Sequence, residues 1–237
     1  MGHKKVTPIF ITGYERSGTT LLRRLVSMHP DLDNDIVHEP KKELMQANTR
    51  EAAVALMTKK DTKTGSFISP EAGIKIPYTS VHGADKWRTQ YTRLFPDARV
   101  LHIVRDPVYA INSQVTTFGK NWQECFSRYF FCVPEVVEDL KGRACTIVYE
   151  KLVNDPERAV KLLYDWMGGN ASAEHIHKVC TTQEPWKHNG RMMPGLRYFN
   201  CIKNSSTLVL NQSQVERINK EKAKHAFLTT GVEDGLL

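Results

Sequence analysis

The sequence predicts an α/β fold with three layers (αβα), in which helices cover both faces of a central, mainly parallel β-sheet. Short apolar segments rich in β-branched residues alternate along the chain with amphipathic segments of helical period. Helical crossovers make successive strands parallel, and a parallel sheet is buried on both faces. The 237 residues, 41% hydrophobic and 25% charged, suffice for one sizeable core. We therefore expect a single domain over residues 1–237.

The first strand, loop and helix are clearly marked. Val6 to Thr12 is apolar and β-branched, which predicts a strand, and the polar segment Gly13 to Gly18 predicts a loop. Thr19 to Met28 predicts a helix because its leucines recur on one face. The pair His29-Pro30 ends this helix, since proline disfavours helical geometry in the residue before it.

The alternation continues through the rest of the chain. The predicted segments are a strand from Ala72 to Ile76 that stops at Pro77, a helix around Ala84 to Phe95, a strand from Arg99 to Val104, a helix from Trp122 to Leu140, a strand from Cys145 to Tyr149, a helix from Asp155-Pro156 to about Met167, and a last helix from Gln212 to Phe227. Asp106 can cap a helix whose first position is Pro107. The irregular, basic stretch from Thr181 to Leu210 predicts a long loop.

The charge favours an anionic partner. A net charge of +7 with an isoelectric point near 9.1 suits a nucleic acid, a charged polysaccharide or a phosphorylated nucleotide, and charge alone does not choose among them. The apolar runs are far shorter than the roughly 20 residues of a membrane span. Residues 1–5 lead into only a brief apolar stretch and so do not look like a signal peptide, which makes a cytoplasmic location the expectation.

The five cysteines point to reduced thiols. Their number is odd, and they show neither CxxC nor Cys/His ligand spacing, so the sequence indicates no disulfide scaffold and no zinc site. They are Cys125, Cys132, Cys145, Cys180 and Cys201.

The loop after the first strand has the spacing of a phosphate-binding loop (P-loop). Residues 13–20 read GYERSGTT, and the GxxxxG spacing lets backbone N–H groups converge on a phosphate at a helix N-terminus. A nucleotide triphosphatase would have lysine in place of Thr19, beside a residue that holds magnesium. This chain lacks that lysine and carries Arg16 inside the loop instead.

This loop resembles that of sulfotransferases dependent on 3′-phosphoadenosine-5′-phosphosulfate (PAPS). Their loop reads Lys or Arg, Ser, Gly, two residues that are Thr or Ser, and an apolar residue. The matching residues here are Arg16, Ser17, Gly18, Thr19, Thr20 and Leu21. The resemblance implies that they bind the 5′-phosphosulfate of PAPS. Because sulfuryl transfer needs less charge neutralisation than a triphosphate demands, no metal is expected.

A second motif resembles the same family's site for the 3′-phosphate of PAPS. The sequence Arg105-Asp106-Pro107 follows a predicted strand, and Ser113 lies eight positions after the arginine. The carboxyl end of a strand is where ligands of open α/β sheets bind. An arginine fork and a serine hydroxyl suit a phosphate approached from one side.

The catalytic candidates also come from this resemblance. The acceptor must lose a proton as the sulfuryl group arrives, so a general base is expected near the phosphosulfate. Glu39 is the first candidate, because tyrosylprotein and carbohydrate sulfotransferases look similar here and several of them use a Glu after the first helix as the base. His38 is the second, because other branches of the family use histidine. Lys75 resembles the family's lysine at the end of the second strand, which stabilises charge on the leaving phosphate. A solvated surface role remains open for each.

Three further residues are weaker candidates for nucleotide binding. Tyr149 resembles the family's tyrosine near the adenine and the 3′-phosphate, although a core aromatic would look the same. Lys187 and Arg191 lie where family members have a loop that closes over the nucleotide.

Two other functions stay open at this point. A P-loop kinase acting on a small molecule is disfavoured by the missing lysine. A basic nucleic-acid-binding module is disfavoured because lysines and arginines are dispersed among acidic residues. We expect a PAPS-dependent sulfotransferase whose partners are the nucleotide donor and a hydroxyl or amine acceptor, with neither nucleic acid nor a membrane span. Neither the acceptor nor the oligomeric state can be read from the sequence.

Overall fold

The computed structural model describes nine stretches of the chain. They are residues 9–30, 37–38, 47–52, 74–78, 93–96, 98–181, 186–188, 191–193 and 207–225. For residues 37–38, 74–78, 186–188 and 191–193, it describes the backbone alone.

A five-stranded sheet forms the centre, with the order β2-β3-β1-β4-β5 and parallel pairing at every step. Its strands are β1 (Ile9–Tyr14), β2 (Val37–His38), β3 (Ile74–Tyr78), β4 (Arg99–Val104) and β5 (Ala144–Val148). A separate antiparallel hairpin consists of β6 (Trp186–His188) and β7 (Arg191–Met193).

The helices lie between these strands and after them. The principal helices of the described stretches are α1 (Thr19–Ser27), α2 (Pro107–Phe118), α3 (Trp122–Leu140), α4 (Tyr149–Asn154), α5 (Pro156–Met167), α6 (Ala173–Thr181) and α7 (Gln212–Lys222). Within these stretches, no helix is both long and apolar enough to span a membrane.

Each face of the sheet has its own apolar layer. Alternate residues of a strand point to opposite faces, so Phe10 and Val100 pack with α2, α3 and Ile218 of α7, whereas Ile11 and Leu101 pack with α1, α4, α5 and α6. These two layers on either side of the sheet confirm the predicted three-layer α/β architecture.

Several predicted boundaries are confirmed. Asp106 caps α2 by accepting a hydrogen bond from the Val108 N–H at 2.8 Å, and Pro107 is the first helical residue. The helix α3 covers the predicted range despite the proline inside it. The cysteines within the described residues are free and buried, namely Cys125, Cys132, Cys145 and Cys180. Cys201 and most of the predicted helix around Ala84 to Phe95 lie outside the described residues.

Other boundaries differ from the prediction. β3 continues through Pro77 to Tyr78, where it pairs with Gly13 and Tyr14 of β1, whereas the pairing with β2 ends at Lys75. Tyr149 starts α4 instead of ending β5. The stretch expected to be one long loop contains the β6–β7 hairpin and residues 207–210. Elements this short are below the length at which periodicity is visible.

The sheet order determines where a ligand would bind. From β1 the chain goes to β2 and β3 on one side of β1 and then crosses to β4 and β5 on the other side. A crevice opens outside the carboxyl ends of parallel strands at such a switch point. The loop after β1 and the start of α2 after β4 both lie at this edge.

Candidate functional site

The loop between β1 and α1 is held in a tight, left-handed path. The Ser17 N–H donates to the Tyr14 carbonyl at 3.0 Å, and both Arg16 (φ 73°) and Gly18 (φ 100°) have positive φ angles. Ser17 is fully buried, at 0% exposure. Its Oγ has no hydrogen-bond partner among the described residues. A buried hydroxyl is normally paired, so this one is available to bind a ligand or a water molecule.

Two glycines let the backbone approach its neighbours. A Cβ at Gly18 would lie 2.5 Å from Cδ2 of Tyr149, and one at Gly13 would lie 2.6 Å from the carbonyl oxygen of Ile103. The Tyr149 ring therefore packs directly against the loop at Gly18. Any side chain at Gly18 would displace that ring, in addition to the strain of its positive φ.

The N-terminus of α1 faces into the same loop. Gly18 occupies the N-cap and offers no side-chain acceptor, and no acidic residue lies in the first turn. The first N–H groups of a helix have no partner within the helix. With the helix dipole, they form a site for an anion.

Arg105 joins β4 to this loop. Its Nη1 donates to the Arg16 carbonyl at 3.0 Å, and its guanidinium carbon lies 4.3 Å from the centroid of the Tyr149 ring. Its buried Nε has no hydrogen-bond partner in the described part of the chain. Tyr129 of α3 donates its hydroxyl hydrogen to the Arg105 carbonyl, which fixes the backbone there. The Nε–H of Arg105 is thus available to a ligand.

Arg16 reaches the second motif. Its Nε donates to Ser113 Oγ at 3.0 Å, and its Nη2 lies 3.4 Å from Thr117 Oγ1. Both acceptors lie on α2, one turn apart, and the guanidinium also lies 5.5 Å from the centroid of the Phe118 ring. The structure thus brings together Arg16, Arg105 and Ser113, which the sequence assigned to two separate phosphate sites.

The electrostatics of this site favour an anion. Burial, and next the positive charge of Arg105, lower the pKa of the Arg16 guanidinium. The nearby carboxylate of Glu15 is 2.7 Å from Lys120 Nζ, so this pair contributes little net charge. Two guanidinium groups therefore lie close together, and an anion between them would relieve their repulsion.

The donors around Tyr149 can be compared with the two phosphate groups of an adenosine bisphosphate. The buried Ser17 hydroxyl and the α1 N-terminus form one donor group. Arg105 and Ser113, which are both hydrogen-bonded to Arg16, are the candidates for the second. The Tyr149 ring lies against Gly18 of the first group and Arg105 of the second. Two phosphate subsites with an aromatic ring beside them suit an adenosine bisphosphate.

The remaining predicted site residues are placed to different degrees. Thr19, Thr20 and Leu21 form the first turn of α1, and Thr19 is buried. The backbone alone is described for His38, which ends β2, and for Lys75, which lies opposite it in β3. The same holds for Lys187 and Arg191, which lie in the β6–β7 hairpin. Glu39 lies outside the described residues.

Several residues of the site were not predicted from the sequence. Glu150 accepts a hydrogen bond from the Asp106 N–H at 3.0 Å, and burial raises the pKa of its carboxyl group. Lys222 Nζ lies 2.5 Å from Asp106 Oδ2. Apolar periodicity could identify Tyr129 only as a core residue, and no local sequence signal places Lys222 beside Asp106, 116 residues away.

Comparison with known proteins gives one family match. The family model described as "Sulfotransferase family" matches residues 8–91 and 86–172. These matches cover both phosphate motifs and more than half of the chain.

The sequence is similar to sulfotransferases from several animals. Protein-tyrosine sulfotransferase A of Caenorhabditis elegans is 24% identical over 199 residues, which cover 70% of this chain and 51% of that protein. Protein-tyrosine sulfotransferase 2 of Gallus gallus is 22% identical over 201 residues, covering 73% of this chain and 54% of that protein. A relative from Caenorhabditis briggsae is 24% identical over 201 residues, covering 71% of this chain and 68% of that protein. The chain therefore spans about half the length of the first two relatives.

Solved structures share the fold. The sulfotransferase domain of the Synechococcus PCC 7002 olefin synthase has a TM-score of 0.57 at 18% identity, covering 94% of this chain and 97% of that one. Mouse sulfotransferase SULT7A1, complexed with PAP, has a TM-score of 0.59 at 12% identity, covering 92% of this chain and 84% of that one.

Proposed function

The chain belongs to the sulfotransferase family, and from this premise we propose that it transfers a sulfuryl group from PAPS to a hydroxyl or amine acceptor. One observation carries the proposal: the Tyr149 ring contacts both Gly18, next to the buried Ser17 hydroxyl, and Arg105, while Arg16 of the same loop donates to Ser113. This arrangement fits the two phosphate positions of PAPS. Mouse SULT7A1, which shares the fold, is complexed with PAP, the desulfated nucleotide.

Each part of the site then has a role. When bound, PAPS supplies the sulfuryl group. The Ser17 hydroxyl and the α1 N-terminus donate hydrogen bonds to the 5′-phosphosulfate oxygens and stabilise the charge left on the phosphate. Arg105 and Ser113 bind the 3′-phosphate, and Tyr149 provides a flat surface beside them. This donor set needs no metal ion.

A kinase is disfavoured by the same residues. Thr19 stands where a P-loop kinase has the lysine that reaches the terminal phosphates. The family match also favours the sulfotransferase over the kinase and over a nucleic-acid-binding module.

We also propose that the general base is Glu39 or, failing that, His38. His38 is the last residue of β2, two strands away from β1, and its backbone is level with Lys75 of β3 and Ile11 of β1. Lys75, opposite His38 in β3, is proposed to stabilise the leaving phosphate. Its backbone lies opposite Ile11 of β1, and it is the second of the five residues of β3, not near the end of the strand as the sequence led us to expect.

The β6–β7 hairpin is proposed to close over the nucleotide. Lys187 and Arg191 lie on its two strands, where His188 pairs with Arg191. Lysine and arginine are cationic, and a positive charge favours an anionic ligand.

The tyrosine hydroxyl of a peptide is the first acceptor to test, because relatives of the chain are named protein-tyrosine sulfotransferases. Carbohydrate, lipid and small alcohol or phenol acceptors form the comparison set. The cytoplasmic location stays a prediction.

Thermal unfolding tests donor binding. At a concentration near 100 times its dissociation constant, PAP without magnesium should raise the melting temperature by about 5–10 °C. ATP with magnesium should raise it less. A larger shift with ATP and magnesium would favour the kinase.

Transfer of labelled sulfate from PAPS tests the chemistry. The wild-type protein should label one acceptor class, and Glu39→Ala should lose turnover by about 100-fold or more while keeping PAP affinity. If Glu39→Ala stays active and His38→Ala does not, His38 is the base. If neither variant loses turnover, the general base lies elsewhere.

A further inference from the structure

A helix far along the chain contacts the start of α2, next to the nucleotide site. Lys222, at the end of α7, has its Nζ 2.5 Å from Asp106 Oδ2, and both side chains are largely buried, at 22% and 18% exposure. The neighbouring Arg105 supplies a donor for the proposed 3′-phosphate. A buried carboxylate at this position would repel that phosphate unless a cation neutralised it.

The local charges form one connected set, which we call the anchor cluster. Its members are Arg16, Arg105, Asp106, Glu150 and Lys222. Arg105 donates to the Arg16 carbonyl, the Asp106 N–H donates to Glu150, and Lys222 pairs with Asp106. With three cations and two carboxylates, the net charge is +1 with Lys222 and 0 without it.

We propose that Lys222 is a positioning residue for nucleotide binding: it neutralises Asp106 so that the anchor cluster keeps a positive charge toward the 3′-phosphate. This inference rests on the proposed function, since it concerns the same nucleotide site. It assigns a role in that site to α7, which lies outside the region matched by the family model.

The alternative role of the Lys222–Asp106 pair is purely structural, since it also joins α7 to α2. The two roles predict opposite results for Asp106→Asn. This variant breaks the ion pair but keeps a helix-capping residue, because asparagine caps as well as aspartate. If the charge matters, Asp106→Asn binds the nucleotide more tightly. If the bridge matters, it binds more weakly, as Lys222→Ala does.

The experiment measures PAP binding by calorimetry at low ionic strength, where charge effects are least screened. Lys222→Ala should weaken PAP binding about tenfold, and Asp106→Asn should tighten it about threefold. The double variant, with the wild-type net charge, should bind within about twofold of wild type. Lys222→Arg, which keeps the charge, should also bind as wild type does.

Lys224→Ala is the matched control. Lys224 lies two residues after the end of α7, and its Nζ is 2.7 Å from Glu221 Oε2. The Lys224→Ala variant therefore removes one positive charge from the protein but leaves the Lys222–Asp106 ion pair in place. It should bind PAP as wild type does. If wild type binds no PAP, the proposed function fails and the inference fails with it. If wild type binds PAP while Lys222→Ala and Asp106→Asn weaken binding equally, or Lys224→Ala weakens it as much as Lys222→Ala, the inference alone is overturned.

Discussion

At the scale of single residues, the backbone of the loop between β1 and α1 is tightly constrained. Gly18 combines a left-handed backbone with close contact to the Tyr149 ring. Ser17 beside it is buried with an unpartnered hydroxyl within the described structure. A side chain at position 18 therefore affects both the stability of the loop and the surface on which the nucleotide is proposed to lie.

Gly18→Ala should destabilise the protein by about 2–4 kcal/mol and abolish detectable PAP binding, because the new Cβ strains the backbone and displaces Tyr149. Gly142→Ala is the matched control: Gly142 also has a positive φ, but no described atom lies within 4 Å of the Cβ that alanine would add. Gly142→Ala should lower the free energy of unfolding by about 1 kcal/mol and leave PAP binding unchanged. Chemical denaturation and calorimetry measure the two effects, and equal losses of PAP affinity in both variants would argue against a specific role for Gly18.

A buried histidine makes stability depend on pH. His102 lies in the middle of β4, opposite Thr12 and Thr146, and is fully buried. Desolvation lowers its pKa to about 3. The folded state thus resists protonation, whereas the unfolded chain takes up a proton below about pH 6.5. The stability from neutral His102 is therefore complete above about pH 6.5 and is lost as the pH falls toward 3.

The unfolding free energy should fall by up to about 1.4 kcal/mol per pH unit between about pH 6 and 4 through this group alone. His102→Gln, which cannot titrate, should remove that part of the slope whatever its effect at pH 7. Denaturant titrations at several pH values measure the difference. Parallel pH profiles for the two proteins would show that His102 is protonated in the folded state.

At the scale of elements, α2 connects the two phosphate motifs to the C-terminal part of the chain. The side chain of buried Asn112 donates to the Thr207 carbonyl at 3.3 Å and accepts from the Val209 N–H at 2.9 Å. One residue later, Ser113 accepts from Arg16. The same helix thus contacts the loop after β1 and holds the segment that leads into α7.

Asn112→Ala should destabilise the protein by about 1–3 kcal/mol, because both hydrogen bonds are lost. The amide hydrogens of Val209 and of α7 should exchange with solvent faster than in wild type. Hydrogen exchange followed by mass spectrometry measures this change. Gln212→Ala, which removes an exposed side-chain bond to Glu216 on α7, is the control and should leave this exchange nearly unchanged. Unchanged exchange in Asn112→Ala would mean that α7 is held by other contacts.

Elements with strong periodicity or end signals could be predicted from the sequence. The boundaries of α3 and the Asp106-Pro107 start of α2 are examples, since cap chemistry and apolar spacing are local properties. The six-residue helix α4 and the two-residue strand β2 could not be predicted, because they are too short for a period. Contacts over long sequence distances, such as Lys222 with Asp106, depend on packing that no local pattern encodes.

At the scale of the whole molecule, the parallel order of the sheet explains why distant motifs meet. Strand β1 lies beside β4, so the loop at Ser17 and the strand end at Arg105 share one edge. The sequence predicted both motifs and the sheet type. It did not predict that Arg16 would contact Ser113, because that contact depends on how α2 packs next to the loop.

The most direct test compares two nucleotides in two proteins. The affinity of wild type and of Ser113→Ala for PAP and for 5′-AMP, which lacks the 3′-phosphate, is measured by calorimetry without magnesium. Wild type should bind PAP on the order of 100-fold more tightly than 5′-AMP, and Ser113→Ala should reduce that ratio about tenfold while leaving 5′-AMP binding unchanged. Equal affinity of wild type for both nucleotides would contradict the claim that the loop at Ser17 and the strand end at Arg105 bind opposite ends of one adenosine bisphosphate.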